Sequence, residues 1–116
     1  MAKDTFVAFV LEQLAEVQGL ECRAMFGAHG LYAGAAFFGI VSDGKLYLKT
    51  DDFTAANYTR LGMRPFRPND RQVLKTYFEV PADVLESRTE LCRWAEAATR
   101  CAGTRPPPGS RRGVRR

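Results

Sequence analysis

The sequence predicts an α+β domain. An antiparallel sheet of about five strands, in the order α, four strands, α, one strand, α, carries its helices on one face. Three observations carry this. Val7, Val10, Leu11, Leu14 and Val17 form a single apolar stripe at helical spacing. Between Arg23 and Lys49 short apolar runs are punctuated by glycines, the pattern of consecutive strands joined by tight turns. Within that stretch Asp43-Gly44 separates two apolar runs, and a two-residue Asp-Gly connection is the signature of a type I′ hairpin. Strands joined by hairpins run antiparallel, and helices with one apolar stripe each cover one face of the sheet.

The elements follow in order. The first helix is predicted over Asp4–Gln18, with Asp4 as N-cap and Gly19 as the C′ residue. Glu21–Phe26 is the first strand, Gly27-Ala28-His29-Gly30 a turn, and Leu31-Tyr32-Ala33 starts the second strand. Ala36–Ser42 is nearly all apolar, as in a strand covered on both faces. Gly39 inside it marks a bulge or a close backbone approach. Lys45–Lys49 alternates, Leu46 and Leu48 against Lys45, Tyr47 and Lys49.

Asp51-Asp52 caps a short helix over Phe53–Leu61, ended by Gly62. Met63–Arg71 contains Pro65, Pro68 and Asn69-Asp70 and reads as a loop. Val73–Val80 is the last strand, with Leu74, Thr76, Phe78 and Val80 on one face and Val73, Lys75, Tyr77 and Glu79 on the other. A helical turn at Ala82–Leu85 leads to a final helix ending near Cys101. Ser87-Arg88-Thr89-Glu90 is its capping box.

The chain of 116 residues has room for one domain, placed at residues 1–102, followed by a Pro/Arg-rich basic tail at 103–116 without an apolar payload to order it. The net charge of +4 belongs to that tail, which holds five arginines and no acid. The remainder has twelve basic and thirteen acidic residues, unlike a domain that presents a cationic face to DNA. The apolar run Leu31–Val41 is too short and too interrupted for a membrane span, and the N-terminus lacks a signal-peptide layout. A cytoplasmic location without a membrane partner is the expectation. Three scattered cysteines, Cys22, Cys92 and Cys101, do not make a disulfide framework.

No constellation for catalysis stands out. His29 is the only histidine, and with Cys22 it makes half a zinc site at best. Asp51 and Asp52 lack partner acids at ligand spacing and suit a helix cap better. The glycines fit neither GxGxxG nor a Walker loop. No cofactor or metal is expected. The surface of most interest is a sheet face. There Lys45, Tyr47 and Lys49 join Lys75 and Tyr77 if their strands are neighbours, and cations interleaved with aromatics suit single-stranded nucleic acid. A dimer contact suits the same tyrosines, and so does the solvent face of an ordinary sheet. The tail with Arg111 and Arg112 suits either salt-dependent, non-specific contacts to phosphates or a plain solvated tail.

One set of motifs, in order, resembles a known family. Arg23-Ala24-Met25-Phe26-Gly27, Gly30-Leu31-Tyr32, Phe37-Phe38-Gly39 and Leu46-Tyr47-Leu48-Lys49 with Asp51 come first. Tyr77-Phe78-Glu79-Val80-Pro81 and Trp94 follow. Together they resemble the N-terminal domain of the TfoX/Sxy family over about residues 5–102. The resemblance implies an antiparallel α+β fold similar to the secretion-chaperone-like arrangement. It also implies a bacterial, cytoplasmic regulator linked to natural competence, with neither catalytic residues nor a cofactor. Full-length regulators of that family carry a second, helical C-terminal domain, where this sequence has only its Pro/Arg tail. The expectation is a stand-alone, non-enzymatic regulatory or adaptor protein that binds protein or nucleic acid. The alternative is a chaperone-like, protein-binding homodimer without a nucleic-acid role.

Overall fold

The computed structural model describes residues 2–25 and 27–103. Its elements are α1 (Ala2–Gln13), β1 (Leu20–Met25), β2 (Ala28–Ala33), β3 (Ala36–Ser42), β4 (Lys45–Lys49), α2 (Asp52–Arg60), β5 (Pro65–Asn69), β6 (Gln72–Glu79), α3 (Ala82–Leu85) and α4 (Arg88–Gly103). The strands form one antiparallel sheet in the order β1-β2-β3-β4-β6-β5. The α+β class and the helix-covered face are as the sequence predicts. The sixth strand is new: Pro65–Asn69 is an edge strand and not a loop. Proline lacks the N–H for an interior ladder, which is why a segment with Pro65 and Pro68 pairs on one side only.

The hairpin at Asp43-Gly44 closes as expected, with φ of 58° and 76° at its two positions. β3 departs from regular pairing beside β2. Leu31 faces Gly39 while Tyr32 faces Phe37, so Phe38 is an extra residue in a bulge. The bulge turns Phe38 into the core beside the helices, where it is fully buried. Gly39 is required next to it. A Cβ there would lie 3.2 Å from both the Tyr47 carbonyl oxygen and Leu48 Cδ2.

Several boundaries and caps differ from expectation. α1 starts at Ala2 and ends at Gln13, so Asp4 lies inside the helix and not at its cap. Beyond Gln13 the chain tightens: the Ala15 N–H reaches back only to Glu12 O and that of Val17 to Leu14 O. Gly19 serves the sheet instead of closing the helix, its carbonyl accepting the Gly34 N–H at 3.0 Å. The segment 27–30 is mostly strand, with His29 paired to Ala24 on one side and Val41 on the other. At α4 the Ser87 hydroxyl accepts the Glu90 N–H at 3.2 Å, but the reciprocal half of the capping box is missing. The Ser87 N–H already donates to Val84 O, and the Glu90 carboxylate pairs with Arg93.

The main core lies between the helices and one sheet face. Val10 and Leu14, Leu31, Phe38, Leu46 and Leu48 from the sheet, and Leu91, Ala95 and Ala98 of α4 meet there. Fully burying a Leu or Phe contributes roughly 1.5–3 kcal/mol. Tyr58 of α2 joins this core between the rings of Phe78 and Trp94, with centroids at 5.6 and 4.8 Å. The opposite face carries a second, smaller cluster made only of strand residues: Ala28, Ile40, Phe66 and Tyr77, with Phe37, Tyr47 and Leu74 against them. Leu74 belongs to this second cluster and not to the face of Phe78. Between Pro65 and Phe66 the partner in β6 jumps from Phe78 to Leu74, and that irregularity resets the alternation.

Candidate functional site

The helix-free face is an aromatic ladder. Tyr32 stacks on Phe37 at 5.0 Å, Phe37 meets Tyr77 at 5.4 Å, and Tyr47 lies on Phe66 at 4.7 Å. A cation covers each end: Arg23 Cζ sits 4.7 Å from the Tyr32 ring, and Lys49 Nζ 5.2 Å from the Tyr77 ring. The sequence-predicted residues are placed unevenly on it. β4 and β6 are indeed neighbours, with Tyr47 opposite Glu79 and Lys49 opposite Tyr77. Tyr77, however, is buried and not displayed to solvent, because Phe37, Ile40 and Phe66 enclose it. Its hydroxyl donates to the Phe37 carbonyl at 3.1 Å. Burial, followed by the neighbouring Tyr32, pushes its pKa up to about 12. Tyr47 is half-buried, and burial raises its pKa first, with Glu79 and Asp43 adding to the shift.

The three lysines do not form one patch. Lys45 is exposed beside the hairpin turn, opposite Ser42. Lys49 is four residues further along the strand, about 13 Å at a strand's rise. Lys49 Nζ donates to Thr76 Oγ1 at 3.0 Å. Lys75 joins Lys49 around an open depression that Thr50, Asp51, Asp52, Phe53 and Thr76 also line. Arg111 and Arg112 lie outside the described residues, as does the rest of the chain beyond Gly103.

That depression holds the feature that sequence reading passed over. Phe53, at the start of α2, is 88% exposed, the most exposed of the large apolar side chains among the described residues. A signal for it was present. Thr54, Ala55 and Tyr58 turn inward, and Phe53 lies five residues before Tyr58, off the inward stripe. The helix end beneath it is firmly built. The Asp51 carboxylate accepts the Thr54 N–H at 2.8 Å, and the Thr54 hydroxyl accepts the Asp51 N–H at 3.0 Å. That hydrogen bond from the Thr54 N–H is the main reason the Asp51 carboxyl stays below its usual range.

The other candidate groups are not gathered into a centre. His29 and Cys22 sit on neighbouring strands at different register positions. Among the described residues no three His, Cys, Asp or Glu side chains come together as a metal cage. The cysteines form no disulfides, and burial raises the pKa of each thiol, which disfavours the thiolate. Cys92 donates to Gln13 O at 3.5 Å, linking α4 to α1. No helix among the described residues is long and apolar enough to cross a membrane.

The architecture is that of a small α+β domain whose distinguishing groups lie on surfaces. The profile of the TfoX N-terminal domain matches residues 12–102, and the chain belongs to that family. It is a regulatory and adaptor family and not a known family of enzymes. The comparison with curated proteins finds no match.

Proposed function

We propose that this chain is a non-catalytic regulatory adaptor in the control of DNA uptake, acting by docking a protein partner at the depression beside α2. The single observation that carries the docking site is Phe53, an aromatic ring 88% exposed, flanked by Lys49 and Lys75. Rigid exposed aromatics are the anchors of protein interfaces. Asp51 and Asp52 balance the two lysines, so the depression lacks the excess of cations that a phosphate backbone requires. Membership in the TfoX N-terminal domain family supports the regulatory reading and its link to competence.

The test has two arms. Deleting the gene in the source organism should lower transcripts of DNA-uptake genes, and a Phe53→Asp copy should fail to restore them while the protein accumulates folded. Unchanged transcripts in the deletion strain would sink the competence link. In the second arm the full chain is titrated with single- and double-stranded DNA. A salt-dependent mobility shift abolished by Lys49→Ala/Lys75→Ala would replace the protein partner with nucleic acid.

A further inference from the structure

The two edges of the sheet are built to opposite specifications. β5 is blunted by Pro65 and Pro68, by register shifts, and by exposed Arg67, the devices that prevent edge-to-edge pairing. β1 has neither proline nor a register shift, and its exposed charges, Glu21 and Arg23, offset each other. Its six residues, Leu20–Met25, pair with β2 in unbroken register from Leu20↔Ala33 to Met25↔Ala28, without proline or bulge. Among the described residues no strand lies beyond it.

The pairing type along β1 can be read from one bond. Gly34 N–H donates to Gly19 O, so the facing pair Gly19/Gly34 is hydrogen-bonded. Alternation then directs the N–H and C=O groups of residues 21, 23 and 25 toward β2, and those of Leu20, Cys22 and Ala24 toward the open edge. Side chains alternate as well. Leu20 and Cys22 pack against the main core, and Glu21 and Arg23 lie exposed on the helix-free face, ion-paired at 3.0 Å.

We propose that β1 pairs antiparallel with β1 of a second copy of this chain, about a two-fold axis through Cys22. Pairing through outward backbone groups restricts the centre to a residue whose counterpart shares its face. A centre at Glu21 sets Glu21 against itself, and a centre at Arg23 sets Arg23 against itself; like charges directly opposite destabilise. The centre at Cys22 places Glu21 opposite the second copy's arginine, and Arg23 opposite its glutamate, in both symmetric positions. These are the non-hydrogen-bonded pairs, in which Cα atoms approach to ~4.5 Å and side chains meet most closely. Cys22 exchanges both backbone hydrogen bonds with its own counterpart, and Leu20 lies opposite Ala24. The sheet continues across the two copies, with the helices of both on the same side. This interface is distant in sequence from the Phe53 depression and does not rest on it.

The test is a charge swap read by sedimentation of the full chain at low salt. The unmodified protein dimerises. Glu21→Arg or Arg23→Glu alone sets like charges opposite each other and weakens self-association on the order of tenfold or more. The double variant Glu21→Arg/Arg23→Glu restores it. Ala24→Pro removes an N–H that points away from β2, so the fold persists by circular dichroism while the dimer is lost. A monomer at every concentration, single variants that dimerise like the unmodified chain, or a double variant as weak as the singles overturns the proposal.

Discussion

The two faces of the sheet are made from the same strands and are closed in different ways. On one face the strand side chains pack into a core that all four helices join, and Phe38, Leu46 and Leu48 have no solvent exposure. On the other the strands close over themselves, each aromatic ring covering the next. The adjacent residues Phe37 and Phe38 belong to opposite faces, one half-buried and one fully buried. The difference teaches that an uncovered sheet face does not have to be either wet or sticky. A layer of tyrosine and phenylalanine one side chain thick, with an Arg or Lys over its ends, shelters Ile40 completely.

The largest expected difference comes from that adjacent pair. Phe38→Ala should cost about 3–5 kcal/mol, as for large-to-small changes in a closed core. Phe37→Ala should cost roughly half as much, since part of its ring already faces water. Equal losses in denaturant unfolding would erase the distinction between the faces. Glycines on the two faces sharpen it further. At Gly39 an added methyl meets the fixed Tyr47 carbonyl oxygen at 3.2 Å, so Gly39→Ala should cost about 1–3 kcal/mol. At Gly30 the nearest atoms belong to side chains and not to backbone, Met25 Sδ at 3.0 Å and Phe37 Cε1 at 3.1 Å, and the flexible thioether can give way. Gly30→Ala should therefore be the milder change in the same melting experiment.

The ladder also has a signature in alkali. Tyr77 has a folded pKa of about 12 against an ordinary 10. A raised pKa means that the folded state holds its proton after the unfolded chain has released it. The contribution is full below pH 10 and is lost as the pH climbs to 12. Tyr77→Phe should flatten the fall in stability across that window. At neutral pH it should cost about 0.5–1.5 kcal/mol for the lost hydrogen bond to Phe37 O. The smallest effect is expected for Lys49→Met, which removes the cation over Tyr77 and the bond to Thr76. A loss of about 0.5–1 kcal/mol, smaller in high salt, would fit a partly exposed contact.

Most of the fold is legible in the sequence because its signals are local. Asp43-Gly44 announces a turn with two positive φ angles, and the stripe of Val10 and Leu14 announces a helix. The missed strand β5 is hidden by its own prolines, which read as loop unless an edge position is already in mind. The placement of Leu74 is hidden too, because the irregular β5–β6 pairing puts Leu74 and Phe78 on opposite faces despite their even spacing. The candidate surface is less legible for a related reason. Alternation separates Tyr47 and Tyr77 from the main core, but it does not reveal that neighbouring strands supply Phe37 and Phe66 to cover them. Phe53 shows the reverse case, an apolar residue that helical phase alone places outside.

The edge-to-face contact of Trp94 with Tyr58 has a practical consequence. Trp94 is the only tryptophan in the chain, and it is packed where α2, α4 and β6 come together. Lys49 and Thr54 line the hollow that its indole borders, and Lys49 also lines the depression that holds Phe53. The protein thus carries its own fluorophore in a hollow that shares Lys49 with the depression of Phe53, the most exposed large apolar side chain among the described residues. Docking at Phe53 would alter the emission of a single, unambiguous indole, so an unlabelled chain could report its own occupancy in real time.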